Sequence, residues 1–211
     1  MAMALRSRSV VDFRAAAGLL AAAAACAASA ANVTIEVADA DGKLLPDAAA
    51  LLEPVGPKPA VKPLADVQIS QDKRQFTPRV TIVTIGTPVA FPNFDTVRHH
   101  VYSFSPAKTF ELKLYAGVPN TPVVFDKPGI AVLGCNIHDH MAAWVVVADT
   151  PWFARSADDG RARIDNVPPG NYRLRLWHPA LGANVEPATS MLTVGVTDLA
   201  RAVRLPVSVQ P

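Results

Sequence analysis

Along most of the chain, apolar and polar residues alternate. Val33-Thr-Ile35-Glu-Val37, Val80-Thr-Ile82, Tyr172-Arg-Leu174-Arg-Leu176 and Val203-Arg-Leu205-Pro-Val207-Ser-Val209 each put every second side chain on one face. That period of two belongs to half-buried β-strands. Very little of the chain reads as helix. Nineteen prolines and eleven glycines punctuate the strands as turns. Short strands between regular turn signals predict β-sandwiches, so the expected class is all-β.

Three segments emerge from the same pattern. Residues 33–55 hold two strands around a turn at Asp39-Ala-Asp41-Gly42 and end in the apolar run Ala48-Ala-Ala-Leu51-Leu52. Residues 56–66 open with Gly56-Pro-Lys-Pro-Ala-Val-Lys-Pro63, whose proline density reads as an extended linker. Residues 67–149 form a second strand-rich segment. Residues 151–209 form the third, with a hairpin signal at Asp158-Asp-Gly160 and a turn at Val167-Pro-Pro-Gly170.

The N-terminus changes the picture of where the protein works. Arg6, Arg8 and Arg14 precede and enter a short alanine-rich apolar run, Ala15 to Ala25, and Ala28-Ser29-Ala30 supplies a small-residue cleavage site. Residues 1–30 are therefore expected to be a signal peptide, and the mature protein periplasmic. A lipid anchor at Cys26 is the alternative. No later segment approaches the roughly 20 apolar residues of a spanning helix. Removal of the leader leaves about 180 residues, enough for one large or two small domains. It also leaves 17 basic and 17 acidic residues, so no basic stripe argues for nucleic acid.

Cysteine usage then points to chemistry. Cys135 becomes the only thiol of a protein bound for an oxidising compartment, which implies intermolecular pairing, a reactive thiol or a metal ligand. It opens the stretch Cys135-Asn-Ile-His138-Asp-His-Met141, with thiolate, imidazole and thioether at C-x2-H-x2-M spacing. Soft sulfur, borderline nitrogen and a weak second sulfur suit copper cycling between Cu(I) and Cu(II) better than they suit zinc. A second histidine must come from elsewhere, and the chain offers His99 and His100. Neighbours on a strand face opposite sides, so only one of these reaches the metal. The bland alternative is a buried, inert cysteine with Met141 as a core filler. Against it, Gly134-Cys135-Asn136 leaves an apolar strand for a polar loop. His140 reads as an exposed imidazole in that loop.

In order, Phe76-Thr-Pro78, Val80-Thr-Ile82, Gly86-Thr-Pro-Val89, Phe91-Pro-Asn93 with Asp95, His99-His100-Val101-Tyr-Ser-Phe104, Phe125-Asp-Lys-Pro128-Gly129 and the Cys135 loop resemble a cupredoxin. The resemblance is to the plastocyanin and amicyanin kind and to exported methylamine-utilisation-type proteins. It implies a Greek-key β-sandwich over residues 67–149 with one mononuclear type 1 copper. His99 (alternatively His100), Cys135, His138 and Met141 would be its ligands. It further implies a non-enzymatic carrier of single electrons between a redox protein donor and acceptor. Copper capture or delivery without electron transfer is the alternative. Pro119, Ala142 and Ala143 would supply a small apolar docking patch around His138. His100 stands where this family usually has an asparagine.

Asp158-Asp-Gly160-Arg-Ala-Arg-Ile164-Asp-Asn-Val167-Pro-Pro-Gly170-Asn-Tyr172 and Val33-Thr-Ile35-Glu-Val37-Ala-Asp39-Ala-Asp-Gly42 resemble the two halves of a carboxypeptidase-regulatory-like sandwich. The expectation is a second small sandwich, of the immunoglobulin or transthyretin kind, interrupted by the copper domain. The alternative adds 33–55 to the copper domain itself. Trp152, Trp177 and Tyr172 read as core or seam residues, and His178 as a solvated turn residue.

Overall fold

The structure, a computed structural model, describes residues 30–209. The expected leader lies outside the described residues apart from Ala30. Described elements are strands and one 3-10 turn, Pro179–Leu181, so the all-β expectation holds. In chain order come β1 (Ala31–Ala38), β2 (Ala49–Pro54), β3 (Val67–Gln68), β4 (Ser70–Asp72), β5 (Gln75–Thr77), β6 (Val80–Thr84), β7 (Thr87–Ala90) and β8 (His99–Ser105). Then follow β9 (Lys108–Tyr115), β10 (Val123–Phe125), β11 (Gly129–Gly134), β12 (Ala142–Ala148), β13 (Phe153–Arg155), β14 (Arg161–Val167), β15 (Gly170–Trp177), β16 (Ala188–Val194) and β17 (Leu199–Arg204). No described helix is long and apolar enough to cross a membrane.

Two sandwiches result, because each sheet has one apolar face to bury. Sheets β14-β1-β17 and β13-β2-β15-β16 enclose a core that includes Val33, Ile35, Leu52, Ile164 and Leu174. Sheets β6-β12-β11-β8-β9 and β10-β7-β3 enclose another, with Val89, Phe91, Phe125, Leu133 and Val145. Strand β1 alternates buried and half-buried positions as its sequence requires. Strands β2 and β12 do not, since their runs are almost continuously apolar. Such runs mark strands covered on both faces. In β2, Ala50 and Leu52 face the first core, while Ala49 and Leu51 face a seam. In β12, Ala143, Val145 and Val147 face the second core, while Val146 and Ala148 meet the same seam from the other side. Trp177 fills it.

The chain leaves and re-enters the first sandwich at one place. Thr150 Oγ1 donates to the Leu52 carbonyl at 2.6 Å, and the Leu52 N–H to the Trp152 carbonyl at 2.8 Å. Lys58 and Asp149 are ion-paired across the same junction.

Two local expectations need correction. The Asp158-Asp-Gly160 turn is not a hairpin, because β13 and β14 belong to different sheets. Gly160, at φ +70°, is packed so closely that a Cβ would stand 2.9 Å from the Val37 carbonyl oxygen. That turn chemistry reverses the chain locally, but core packing chooses the partner strand. His178 is buried rather than solvated, at 7% exposure. Its Nε2 lies 3.1 Å from the Pro46 carbonyl, and its Nδ1 accepts from the Ala180 N–H at 3.1 Å.

Trp177 is wholly buried, lies 6.3 Å from Trp144 between ring centres and donates through Nε1 to the Gly182 carbonyl at 2.9 Å. Trp177→Ala is expected to cost about 3–5 kcal/mol in denaturant unfolding. A cost below about 1 kcal/mol would mean that the seam does not hold the two sandwiches together.

Candidate metal centre

The site grows from the pairing of three strands. Strand β11 pairs antiparallel with β12 from Gly129↔Val147 to Gly134↔Ala142, so residues 135–141 form the connecting loop. The Met141 N–H bonds to the His138 carbonyl at 2.9 Å and closes that loop. On its other side β11 meets β8 at Gly134↔Tyr102. This brings the end of β11, where Cys135 begins, beside the start of β8, where His99 stands.

Three sequence-predicted residues converge there. The Cys135 Sγ lies 3.9 Å from His99 Nδ1 and 4.0 Å from His138 Nδ1. All three donor atoms lie within 4.8 Å of one another. A metal bonded to nitrogen at about 2.0–2.1 Å and to thiolate at about 2.3 Å, with trigonal to tetrahedral angles, separates those donors by roughly 3.6–3.8 Å. The observed gaps are close to that, and the mixed sulfur and imidazole set fits copper. Cys135 is a free thiol, 3% exposed, and Met141 at the loop's end is 2% exposed within the same core cluster.

His100 is not brought into this cluster. Its Nε2 lies 2.9 Å from Glu111 Oε1, its ring stacks at 5.4 Å on Tyr102, and its Nδ1 is buried without a partner. Strand β8 thus turns His99 toward the thiolate and His100, also buried, to the opposite face. His140 is exposed, its ring 6.0 Å from that of His138. Ala143 is fully buried and belongs to the core, so it cannot serve an apolar surface patch. The exposed apolar side chains of the neighbouring loops are instead Phe94, Val97, Val118 and Ile137.

Behind the donors stands a scaffold of which the sequence singles out Phe91, Asn93 and Asp95, but not Lys73, Arg74 or Tyr115. Asn93 donates through Nδ2 to the carbonyls of Val97 and Tyr115, both at 2.9 Å, and accepts from the Asp95 N–H at 2.9 Å. Asp95 in turn accepts from the backbone N–H groups of Lys73 at 2.8 Å and Arg74 at 2.9 Å, and stands 2.7 Å from His99 Nε2. Burial pushes the Asp95 carboxyl up, but the Arg74 N–H, His99 and the Lys73 N–H together hold it below the usual carboxylate range. Tyr115, paired with His99 across β8 and β9, donates to the Phe91 carbonyl at 2.7 Å. Burial raises its phenol to about 12. The Asn93-Phe-Asp95 spacing, with an Asx-type turn closing on the aspartate, was the available sequence signal for this hub.

His138 is only half-buried. Desolvation, then the neighbouring His99, Arg74 and His140, hold its ring below the ordinary imidazole value. In the metal-free protein, His138 is therefore expected to titrate below about 6.5 by NMR. A midpoint at or above that value would mean that the His138 ring is better solvated than the structure places it.

No family model matches the chain, and no curated protein matches it. Among solved structures it is similar to a copper-containing nitrite reductase from Thermus scotoductus SA-01, at 26% identity and TM-score 0.37, over 46% of this chain and 25% of that one. This chain thus spans only a quarter of that enzyme's length. It is also similar to a purple cupredoxin from Nitrosopumilus maritimus, at 22% identity and TM-score 0.35, over 39% of this chain and all of that one. A third neighbour is amicyanin from Paracoccus versutus (Thiobacillus versutus), at 16% identity and TM-score 0.34, over 46% of this chain and 97% of that one. Two packed sheets, with a thiolate and two imidazoles gathered at the end of β11, make this part of the chain a β-sandwich with a candidate metal centre at one end.

Proposed function

We propose that the protein is an exported type 1 copper protein that carries single electrons between a periplasmic donor and acceptor. The observation that carries this reading is the cluster of Cys135 Sγ with the Nδ1 atoms of His99 and His138 inside a close-packed sandwich. His99, Cys135 and His138 would hold the ion, with Met141 as the axial thioether. When bound, copper supplies a one-electron couple between Cu(I) and Cu(II).

The residues of the chain do the rest. Cys135 sits where the ladder of β11 ends, so its sulfur is anchored by the hydrogen bonds of a central strand. His99 is wholly buried and gripped from behind, which fixes its ring before any metal arrives. A scaffold that cannot rearrange keeps the reorganisation accompanying electron transfer small. His138 is the one imidazole of the three-donor cluster with a partly exposed ring, and its edge is the natural point for electrons to enter and leave. The apolar Ile137 beside it, and Phe94, Val97 and Val118 in the adjoining loops, suit a small, transient interface.

The second sandwich is, in this reading, a docking or spacing module of residues 33–55 and 151–209, with the copper domain of residues 67–149 inserted through a linker at 56–66. Support comes from the junction, where residues 52 and 150 are hydrogen-bonded. Insertions succeed at such closely spaced chain ends.

Two measurements test the assignment. The mature protein loaded with Cu(II) is expected to absorb intensely in the visible with narrow EPR hyperfine splitting, and Cys135→Ser to abolish both. A pale, normal-copper spectrum would favour copper capture or delivery instead, and turnover with nitrite or oxygen would favour an enzyme. Separately, His99→Ala is expected to lose the blue spectrum while His100→Ala keeps it. The reverse result would overturn the ligand choice.

A further inference from the structure

His99 and His138 are held differently. Each turns Nδ1 toward the Cys135 sulfur, yet only His99 has a carboxylate on its other nitrogen. Asp95 Oδ2 lies 2.7 Å from His99 Nε2, and the Asp95 side chain is only 14% exposed. Its oxygens also accept from the backbone N–H groups of Lys73 and Arg74, residues at φ +52° and +58° in the turn between β4 and β5. The Asn93 side chain fixes the backbone of Asp95 from the other end. The carboxylate is therefore held by the β4–β5 turn, while its own backbone is tied down by the neighbouring Asn93.

The geometry points to Asp95 as a positioning residue with an electronic role: it sets the Nε2–H tautomer of His99, frees Nδ1 for the metal, and lowers the reduction potential of the site. The inference rests on the copper reading above. Its physical basis is general. A carboxylate that accepts the distal N–H of a ligating imidazole fixes its tautomer and orientation and raises its basicity as a ligand. A more basic ligand and a nearby negative charge both favour the more highly charged Cu(II), so the potential falls. His138, with no such partner among the described residues, gains nothing of the kind. The Lys73-Arg74 turn serves to hold the carboxylate, whose two oxygens would otherwise be poorly solvated in this position.

Asp95→Asn removes the charge and keeps the shape: the amide oxygen can still accept from Nε2 and the Arg74 N–H, and only the bond from the Lys73 N–H is lost. The full-length mature protein is loaded with copper and its potential measured by redox titration. Loss of the charged partner is expected to weaken Cu(II) binding about 10–100-fold relative to Cu(I), a rise of about 60–120 mV at 59 mV per decade. The blue absorption is expected to persist, and Asp95→Glu to bring the potential back toward that of the native protein. In the metal-free protein at mildly alkaline pH, nitrogen NMR is expected to find His99 as the Nε2–H tautomer, and Asp95→Ala to mix the tautomers. An unchanged potential in a blue Asp95→Asn protein would overturn the inference, as would a native Nδ1–H tautomer. If the native protein itself takes up no copper, the carrier reading fails instead, while the tautomer measurement still decides what Asp95 does to His99.

Discussion

Everything at the site depends on how closely β8 and β11 approach at Gly134. A Cβ on that glycine would lie 2.7 Å from the Tyr102 ring, closer than atoms can stand. The ring occupies the space a side chain would need, and the two strands are paired there. Cys135 follows Gly134 directly, and His99 lies three residues before Tyr102. The close approach therefore decides how far the thiolate stands from the imidazole. A bulkier residue would push β11 away from β8 and open the gap that a metal must bridge.

Around that contact, polar and apolar groups divide the work. Phe91, Phe125, Val101 and Leu133 pack into one core with Cys135, which is left only 3% exposed. The polar loops then orient individual atoms, with Asn93 and Asp95 linking the turn after β4, the start of β8 and the end of β9. A buried carboxylate is costly unless its lone pairs are satisfied. Asp95 is only partly exposed, and two backbone N–H groups and one imidazole satisfy its oxygens.

The seam between the sandwiches follows the same logic at larger scale. Strands β2 and β12 have no polar face to give to water, so each must be covered twice. Covering both at once with Trp177, Val80 and Ile82 joins two cores that share no sheet. The outer surface of the five-stranded sheet near β6 is thereby closed, leaving the loop end with His138 open.

Much of this was legible in the chain alone, and the division has a physical reason. Period-two alternation depends on neighbouring residues, so strands such as β1 and β15 announce themselves. The Cys135–His138–Met141 spacing is equally local, because one short loop carries all three residues. What lies beyond a few residues was not legible. Adjacent histidines differ only in which face of β8 looks inward, and that is set by the core, not by either residue. A glycine turn reverses a chain without naming its next partner, so the Asp158-Asp-Gly160 segment crossed between sheets where a hairpin was expected. His178 is buried against a segment more than a hundred residues earlier, where its Nε2 meets the Pro46 carbonyl. Asp95 lies only four residues from His99, but the turn at Lys73 and Arg74 that holds its carboxylate comes from about twenty residues earlier. The sequence by itself determined the strands, the sandwich class and the donor types; the tertiary structure alone decided which imidazole faces the thiolate and what stands behind it, because those are matters of distance between parts of the chain that no local pattern encodes.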